Sequence, residues 1–165
     1  MLLFETDRCI VRRLTATDEE GFYRINGNPE VMKHIRPAKS KEECAIFLDQ
    51  NIQLYSHDSV IGRYLVIEKS TTHVIGMFSY LLLSDALNYH IGFALLPPFW
   101  GKGYALELVK FGVPYFFTHQ PSNELYAITN KENVASQKVL LNSGFEATQN
   151  FLLNEQALDL YVIRK

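Results

Sequence analysis

The chain has 165 residues, 47% hydrophobic and 21% charged, with a formal net charge of −2. That length suits a single domain over 1–165 with a core of its own, and the composition matches an ordinary globular protein. A near-neutral balance excludes general attraction to nucleic acid or to an anionic membrane surface.

No apolar run approaches the roughly 20 residues that span a bilayer, and the first residues lack a signal-peptide pattern, so the expected location is the cytoplasm. Cys9 and Cys44 have neither metal-type spacing nor the numbers for a disulfide framework, and they are expected as core thiols.

Residues 8–14 (RCIVRRL) are β-branched and partly alternating, and they read as a first strand. Thr17, three residues ahead of Glu20, fits a capping box for a helix that carries Phe22, Tyr23 and Ile25 and stops at the breaker NGNP. Pro29 opens a short helix through Val31 and Met32. Ser40 caps a second long helix, with Cys44, Phe47, Leu48, Ile52 and Tyr55 on one stripe and a stop at 56–59.

Strands follow at 64–67, 74–83 and 89–95, the last apolar enough to be covered on both faces, with Gly92 marking a bulge or a close backbone approach. A helix from 105 to 116 should kink at Pro114. Residues 124–129 read as a strand, 133–142 as a helix stopped by Ser143-Gly144, and 145–153 with 158–163 as a hairpin around Asn154-Glu155. The order predicts a mixed α/β (α+β) domain, with about seven strands in a mostly antiparallel sheet and about four helices.

The stretch PPFWGKGYALE (97–107) stands between the last apolar strand and the next helix. Such a helix start collects unsatisfied N–H groups and the positive dipole end, and Gly101 and Gly103 let a phosphate approach the backbone beside Lys102. A Walker A loop is excluded, because Leu96 stands where its first glycine belongs and Gly103 where Ser or Thr must follow. A dinucleotide fingerprint is excluded by Leu106 in place of the third glycine.

Trp100-Gly-Lys-Gly-Tyr-Ala105 resembles the pyrophosphate motif Q/R-x-x-G-x-G/A of GNAT-superfamily N-acetyltransferases, with Trp100 where Gln or Arg is usual. Glu107, the preceding Ile91-Gly92-Phe93, and Asn133-x-x-Ser136 followed by Gly144-Phe145 resemble the branch that includes ribosomal-protein-alanine acetyltransferases. The opening RCIVRRL and the segment NPEVMKHI extend the resemblance from about Arg8 to the C-terminus.

This resemblance implies acetyl transfer from acetyl-CoA to an amine without a covalent intermediate, on a fold whose splayed strand pair holds acyl-CoA. The N–H groups of Gly101, Lys102, Gly103, Tyr104 and Ala105, with Trp100 beside them, would cradle the pyrophosphate. The main chain of Phe93, Ala94 and Leu95 would hold the pantetheine arm like an added strand and polarise the thioester carbonyl. Leu140 stands where many relatives carry a donor Tyr, so Ser136, on the same helix face, is the expected donor to the thiolate, with Asn133 as a polar partner to the coenzyme.

His90 occupies the place of a frequent Glu and would act as the base. His34, His57, His73 and His119 fall in less suitable segments. Residues 26–36 and 80–83 should border the acceptor groove, with Lys33, His34 and Arg36 expected as a solvated basic loop.

The acceptor would be a protein N-terminus, an amino acid or another small amine, handled by a monomer or homodimer with no metal, nucleic acid or membrane partner. The alternative is an acyl-CoA-binding sensor or structural subunit without turnover.

Overall fold

The computed structural model describes residues 1–56, 59–84, 87–153 and 156–165. In chain order it places β1 (Leu2–Glu5), β2 (Cys9–Arg13), α1 (Glu19–Asn26), α2 (Pro29–Met32), α3 (Lys41–Gln53), β3 (Gly62–Glu68), β4 (Val74–Leu82) and β5 (Tyr89–Leu95). Then come α4 (Tyr104–His119), β6 (Glu124–Asn130), α5 (Val134–Asn142), β7 (Glu146–Leu153) and β8 (Gln156–Arg164).

The strands form one sheet in the order β1-β2-β3-β4-β5-β6-β8-β7, antiparallel except between β5 and β6. The mixed class holds, with eight strands and five helices described where about seven and four were expected. The additional strand is β1, anchored by Phe4, whose ring meets Phe78 edge-on at 5.3 Å. His57, Asp58 and the expected hairpin tip Asn154-Glu155 lie outside the described residues.

Local chemistry explains the helix starts. Ser40 caps α3 as expected: its Oγ accepts from the Glu43 N–H, and the Glu43 carboxylate accepts from the Ser40 N–H at 2.7 Å. The α1 start differs from expectation. Asp18, not Glu20, is the acidic anchor; its carboxylate accepts from the Thr15 N–H at 2.7 Å and is gripped by both Arg12 Nη atoms at 2.7 Å. That bidentate pair draws the first helical residue to Glu19. α4 continues through Pro114, and Lys110, whose carbonyl loses its partner there, lies with Pro114 on the exposed side.

The central strands separate two layers. Tyr64 and Val66 on β3, Phe78 and Tyr80 on β4, and Ile91 and Leu95 on β5 bury one face against Leu108, Val109 and Phe116 of α4. The alternate residues face α1, α2 and α3, where Leu65 and Met77 join Phe22, Ile25 and Leu48 in a second core.

Register makes Arg63, Ser79 and Gly92 one row across β3, β4 and β5 on that second face. Gly92 sits in regular pairing, so the expected bulge is absent. No backbone approaches it closely either; what a Cβ there would meet is a side chain, Ser79 Oγ at 2.6 Å. The expectation that β5 is covered on both faces fails for His90, Phe93 and Ala94, which are only half-buried because the sheet opens beside them.

Candidate active site

After β5 a single turn over Pro97–Phe99 leads into the glycine loop. Gly101 and Gly103 take φ of 69° and 81°, a region that side chains disfavour. A Cβ on Gly101 would meet nothing within 4 Å, so the need for glycine there is conformational and the backbone stays open.

Among the described residues, the N–H groups of Gly101, Lys102, Gly103, Tyr104 and Ala105 have no hydrogen-bond partner, and the first α4 bond is Glu107 N–H to Gly103 O at 3.0 Å. Five free donors at a helix N-terminus form an anion cradle.

Side chains fix this loop from outside. The Trp100 indole N–H donates to the Leu95 carbonyl at 2.6 Å, tying the loop to the end of β5. The Arg8 guanidinium stacks 4.0 Å from the Tyr104 ring centroid, pairs with Glu107 at 2.6 Å and donates to the Lys102 carbonyl at 3.0 Å. Tyr104 OH donates to Glu68, which draws the Glu68 carboxyl below its usual pKa. The Tyr104 side chain is therefore structural, and only its N–H faces outward.

β5 and β6 pair at His90↔Tyr126 and then diverge, which forms the splayed strand pair. On its other side β5 bonds to β4 through every second residue. Leu96 N–H donates to Ile75 O at 2.8 Å, so antiparallel alternation assigns Ala94 and Gly92 to β4 and turns the peptide groups of Phe93 and Leu95 toward the cleft. This corrects two expectations for the pantetheine edge. The Ala94 peptide faces Met77 across the ladder, and the Leu95 carbonyl is already taken by Trp100. Phe93 keeps both its N–H and C=O for a ligand, and Leu95 its N–H.

A cavity of about 480 Å³ runs beside this cleft and is lined from both sides. Asn133, Ser136 and Leu140 reach it from α5, while Arg63, Ser79 and His90 reach it from the sheet. Asn133 Oδ1 caps α5 by accepting from the Ser136 N–H at 3.2 Å, so its oxygen is committed to the helix. Ser136 Oγ has no partner among the described residues and faces the same space.

His90 Nδ1 is buried without a hydrogen bond. Burial pushes its pKa down to about 4, with the Arg63 charge lowering it further and the Ile91 backbone opposing. At neutral pH it is a neutral imidazole with an unused ring nitrogen. His34 also lines the cavity; His73 is exposed on a turn, and His119 stacks on Tyr115 at 4.0 Å, away from it.

A free anion cradle, a splayed strand pair and a cavity with polar groups on both walls form one continuous site at the open end of β5. The family model described as "Acetyltransferase (GNAT) domain" matches residues 8–146. The chain belongs to the GNAT acetyltransferase family.

It is 27% identical over 147 residues to the uncharacterized N-acetyltransferase YoaA of Bacillus subtilis, covering 87% of this chain and 82% of that protein. Its fold is similar to a GNAT-family acetyltransferase from Bacillus anthracis, with a TM-score of 0.83, 21% identity and coverage of 99% and 98%. It is also similar to the ribosomal-protein-S5-alanine acetyltransferase from Vibrio fischeri, with a TM-score of 0.77, 20% identity and coverage of 99% and 96%. This GNAT chain is an acyl-CoA-dependent acetyltransferase.

Several residues of the GNAT site lay outside the sequence-based reading. Arg63 and Ser79 line the cavity but carry no local motif. Arg36 was expected as part of a solvated loop, yet it is half-buried, its Nε is wholly buried, and burial lowers its pKa. Of the segment 80–83, Leu81 and Leu82 border the cavity, whereas Tyr80 and Leu83 are buried and do not line it. Among the described residues no group of three His, Cys, Asp or Glu side chains is placed to hold a metal, and no helix is long and apolar enough to cross a membrane.

Proposed function

We propose that this GNAT chain transfers the acetyl group of acetyl-CoA directly to a primary amine, either a protein N-terminus, an amino acid or a small amine. The observation that carries this reading is the continuity of the site: five free N–H groups at 101–105 lead along the open edge of Phe93 into the cavity that Ser136 and His90 share.

The loop N–H groups hold the pyrophosphate, and Lys102 adds charge beside it. Phe93 N–H and C=O hold the pantetheine arm, and the Phe93 and Leu95 N–H groups face the developing oxyanion. The amine nitrogen bonds to the thioester carbon, the C–S bond breaks, and Ser136 Oγ–H holds the departing thiolate by a hydrogen bond while the thiolate takes its proton from solvent. His90 accepts the amine proton. Burial leaves its ring unprotonated but makes it a weak base, so the amine binds in its neutral form and His90 takes the proton only once the nitrogen has bonded to the carbonyl carbon and become acidic.

Titration calorimetry of the purified protein with acetyl-CoA tests the cradle. Saturable binding is expected in the wild type, with loss of at least about 100-fold in Gly103→Val, because a β-branched residue opposes φ of 81°. Mass detection of acetylated products across an amine panel tests turnover, with kcat falling about 10- to 100-fold in Ser136→Ala at unchanged acetyl-CoA affinity. Binding with no turnover on any amine would leave an acyl-CoA sensor instead.

A further inference from the structure

Three cationic side chains surround one aromatic ring beside the cavity. Arg36 Cζ, Arg63 Cζ and Lys39 Nζ each lie 5.0 Å from the Phe47 ring centroid. Elsewhere the arginines Arg8, Arg12 and Arg164 each hold a carboxylate, at 2.6, 2.7 and 2.9 Å. Among the described residues, Arg13, Arg24, Arg36 and Arg63 hold none, and of these four Arg36 and Arg63 line the cavity.

Their partners are neutral amides: Arg36 Nη2 donates to Asn26 Oδ1 at 2.7 Å and Arg63 Nη1 to Asn51 Oδ1 at 2.9 Å. Both asparagines are set the same way. Asn26, 0% exposed, donates through Nδ2 to the Phe22 carbonyl one helical turn back; Asn51, 2% exposed, donates likewise to the Phe47 carbonyl. Each amide oxygen is thus aimed at a guanidinium by the helix behind it.

Two half-buried like charges, oriented and without a counter-charge, are costly unless a ligand completes them. Both line the cavity, and each has spent one of its five donors on an asparagine. Arg63 stands in the row Arg63–Ser79–Gly92, two strand spacings or roughly 10 Å from the backbone beside His90.

We propose that Arg63 and Arg36 form a carboxylate subsite on the acceptor side of the cavity, so that the preferred acceptor is an amine carrying a carboxylate within reach of its nitrogen. This deepens the acetyltransferase reading and rests on it. The planar guanidinium fork matches a carboxylate. Burial holds the Arg63 pKa down to about 10 and the Arg36 charge lowers it further, and an anion bound between the two offsets that repulsion. The carboxylate comes either from the main chain of a free amino acid or from an acidic side chain near a peptide N-terminus.

The test compares kcat/KM for alanine against alaninamide, and for the peptide amides Ala-Glu-Ala and Ala-Gln-Ala. In at least one pair the carboxylate-bearing member should be favoured about 10- to 100-fold. The pair that shows the preference identifies the source. Arg63→Gln should bring the favoured member down to its neutral twin, Arg63→Lys should restore part of the difference, and the KM for acetyl-CoA should not move.

The neutral twin is an internal control that a merely structural role for Arg63 would reduce equally. Equal rates within both pairs overturn the subsite. Should the protein acetylate no amine at all, thermal unfolding with coenzyme A and the acetylated products of the same pairs decides. A larger rise in midpoint with the carboxylate product, abolished in Arg63→Gln, keeps the subsite while the turnover reading falls. No such difference overturns both.

Discussion

The two faces of β3, β4 and β5 are made by adjacent residues and do opposite work. Toward α4 they present Tyr64, Phe78, Tyr80 and Ile91, none more than 2% exposed, with Phe78 and Tyr80 edge-on at 4.9 Å and Tyr80 OH closing on the Gly112 carbonyl at 2.6 Å. Toward α1 and α3 the same strands present Arg63, Ser79, His90 and Gly92, all half-buried around a cavity. The first face is packed along its length, whereas the second is packed at Leu65 and Met77 and becomes polar and open at the row Arg63–Ser79–Gly92. A period of two lets one strand serve both purposes, because moving one residue along crosses the sheet.

The sharpest test of that division is Phe116→Ala. Phe116 is fully buried on α4 between Tyr80 and Tyr89 and does not line the cavity, so removing it should cost about 3–5 kcal/mol in denaturant unfolding. Product ratios on paired acceptors should stay as in the wild type wherever the variant is folded. A change in acceptor preference would mean that the faces are coupled rather than divided.

The open face should show itself next in acid. Below its ordinary value of 6.5, His90 gains a proton more readily in the unfolded chain than in the fold, where its pKa is about 4. Stability is therefore unaffected above pH 6.5 and is lost as pH falls from 6.5 to 4, by roughly 3 kcal/mol from this group. Asp18, Glu68 and Glu107 have lowered pKa values, so their losses begin as pH falls into the ordinary carboxylate range and continue below it. In chemical-denaturation curves taken at each pH, His90→Gln should remove the loss between pH 6.5 and about 5.5, where the carboxylates contribute little. The acid limb of kcat/KM should likewise carry no step from His90 near 6.5. A clear His90-dependent step there would show that its ring is solvated.

How far this division could be read from the chain differs by residue. The glycine loop was legible because its signal is local: two glycines, a helix start and an apolar strand before them. His90, Asn133 and Ser136 were singled out by the family resemblance of the segments that carry them, and the structure brings all three to the cavity. Arg63 was not, since it lies just outside the strand expected at 64–67, although it keeps phase with buried Leu65. Its meaning comes from register with Ser79 and from Asn51 on α3, and neither partner is close in sequence.

Arg36 misled for a related reason. A charged residue before Pro37 looks solvated until α1 and α3 close around it. β1 was missed because four residues carry too little periodicity, and only Phe4 packing makes them a strand. Asp18 outcompeted the expected Thr17 cap because Arg12, six residues earlier on β2, grips its carboxylate.

The smallest effect lies at the centre of the row. Among the described residues Ser79 Oγ has no partner, so Ser79→Ala should change stability by less than about 0.5 kcal/mol. Its Oγ is the one heavy atom within 4 Å of a Cβ built on Gly92, at 2.6 Å. Gly92→Ala alone should therefore turn Ser79 Oγ into a less favoured rotamer, at a cost of about 1 kcal/mol. In the Ser79→Ala background that obstacle is gone, and the same substitution should be nearly neutral for stability. A double-mutant cycle by urea denaturation would then show a favourable coupling of about 1 kcal/mol between the two sites. Additive costs would mean that Gly92 is needed for its backbone rather than for the space its missing side chain leaves. Acceptor kinetics on the double variant separate the uses of that space, because its methyl group enters the cavity without disturbing the α4 face.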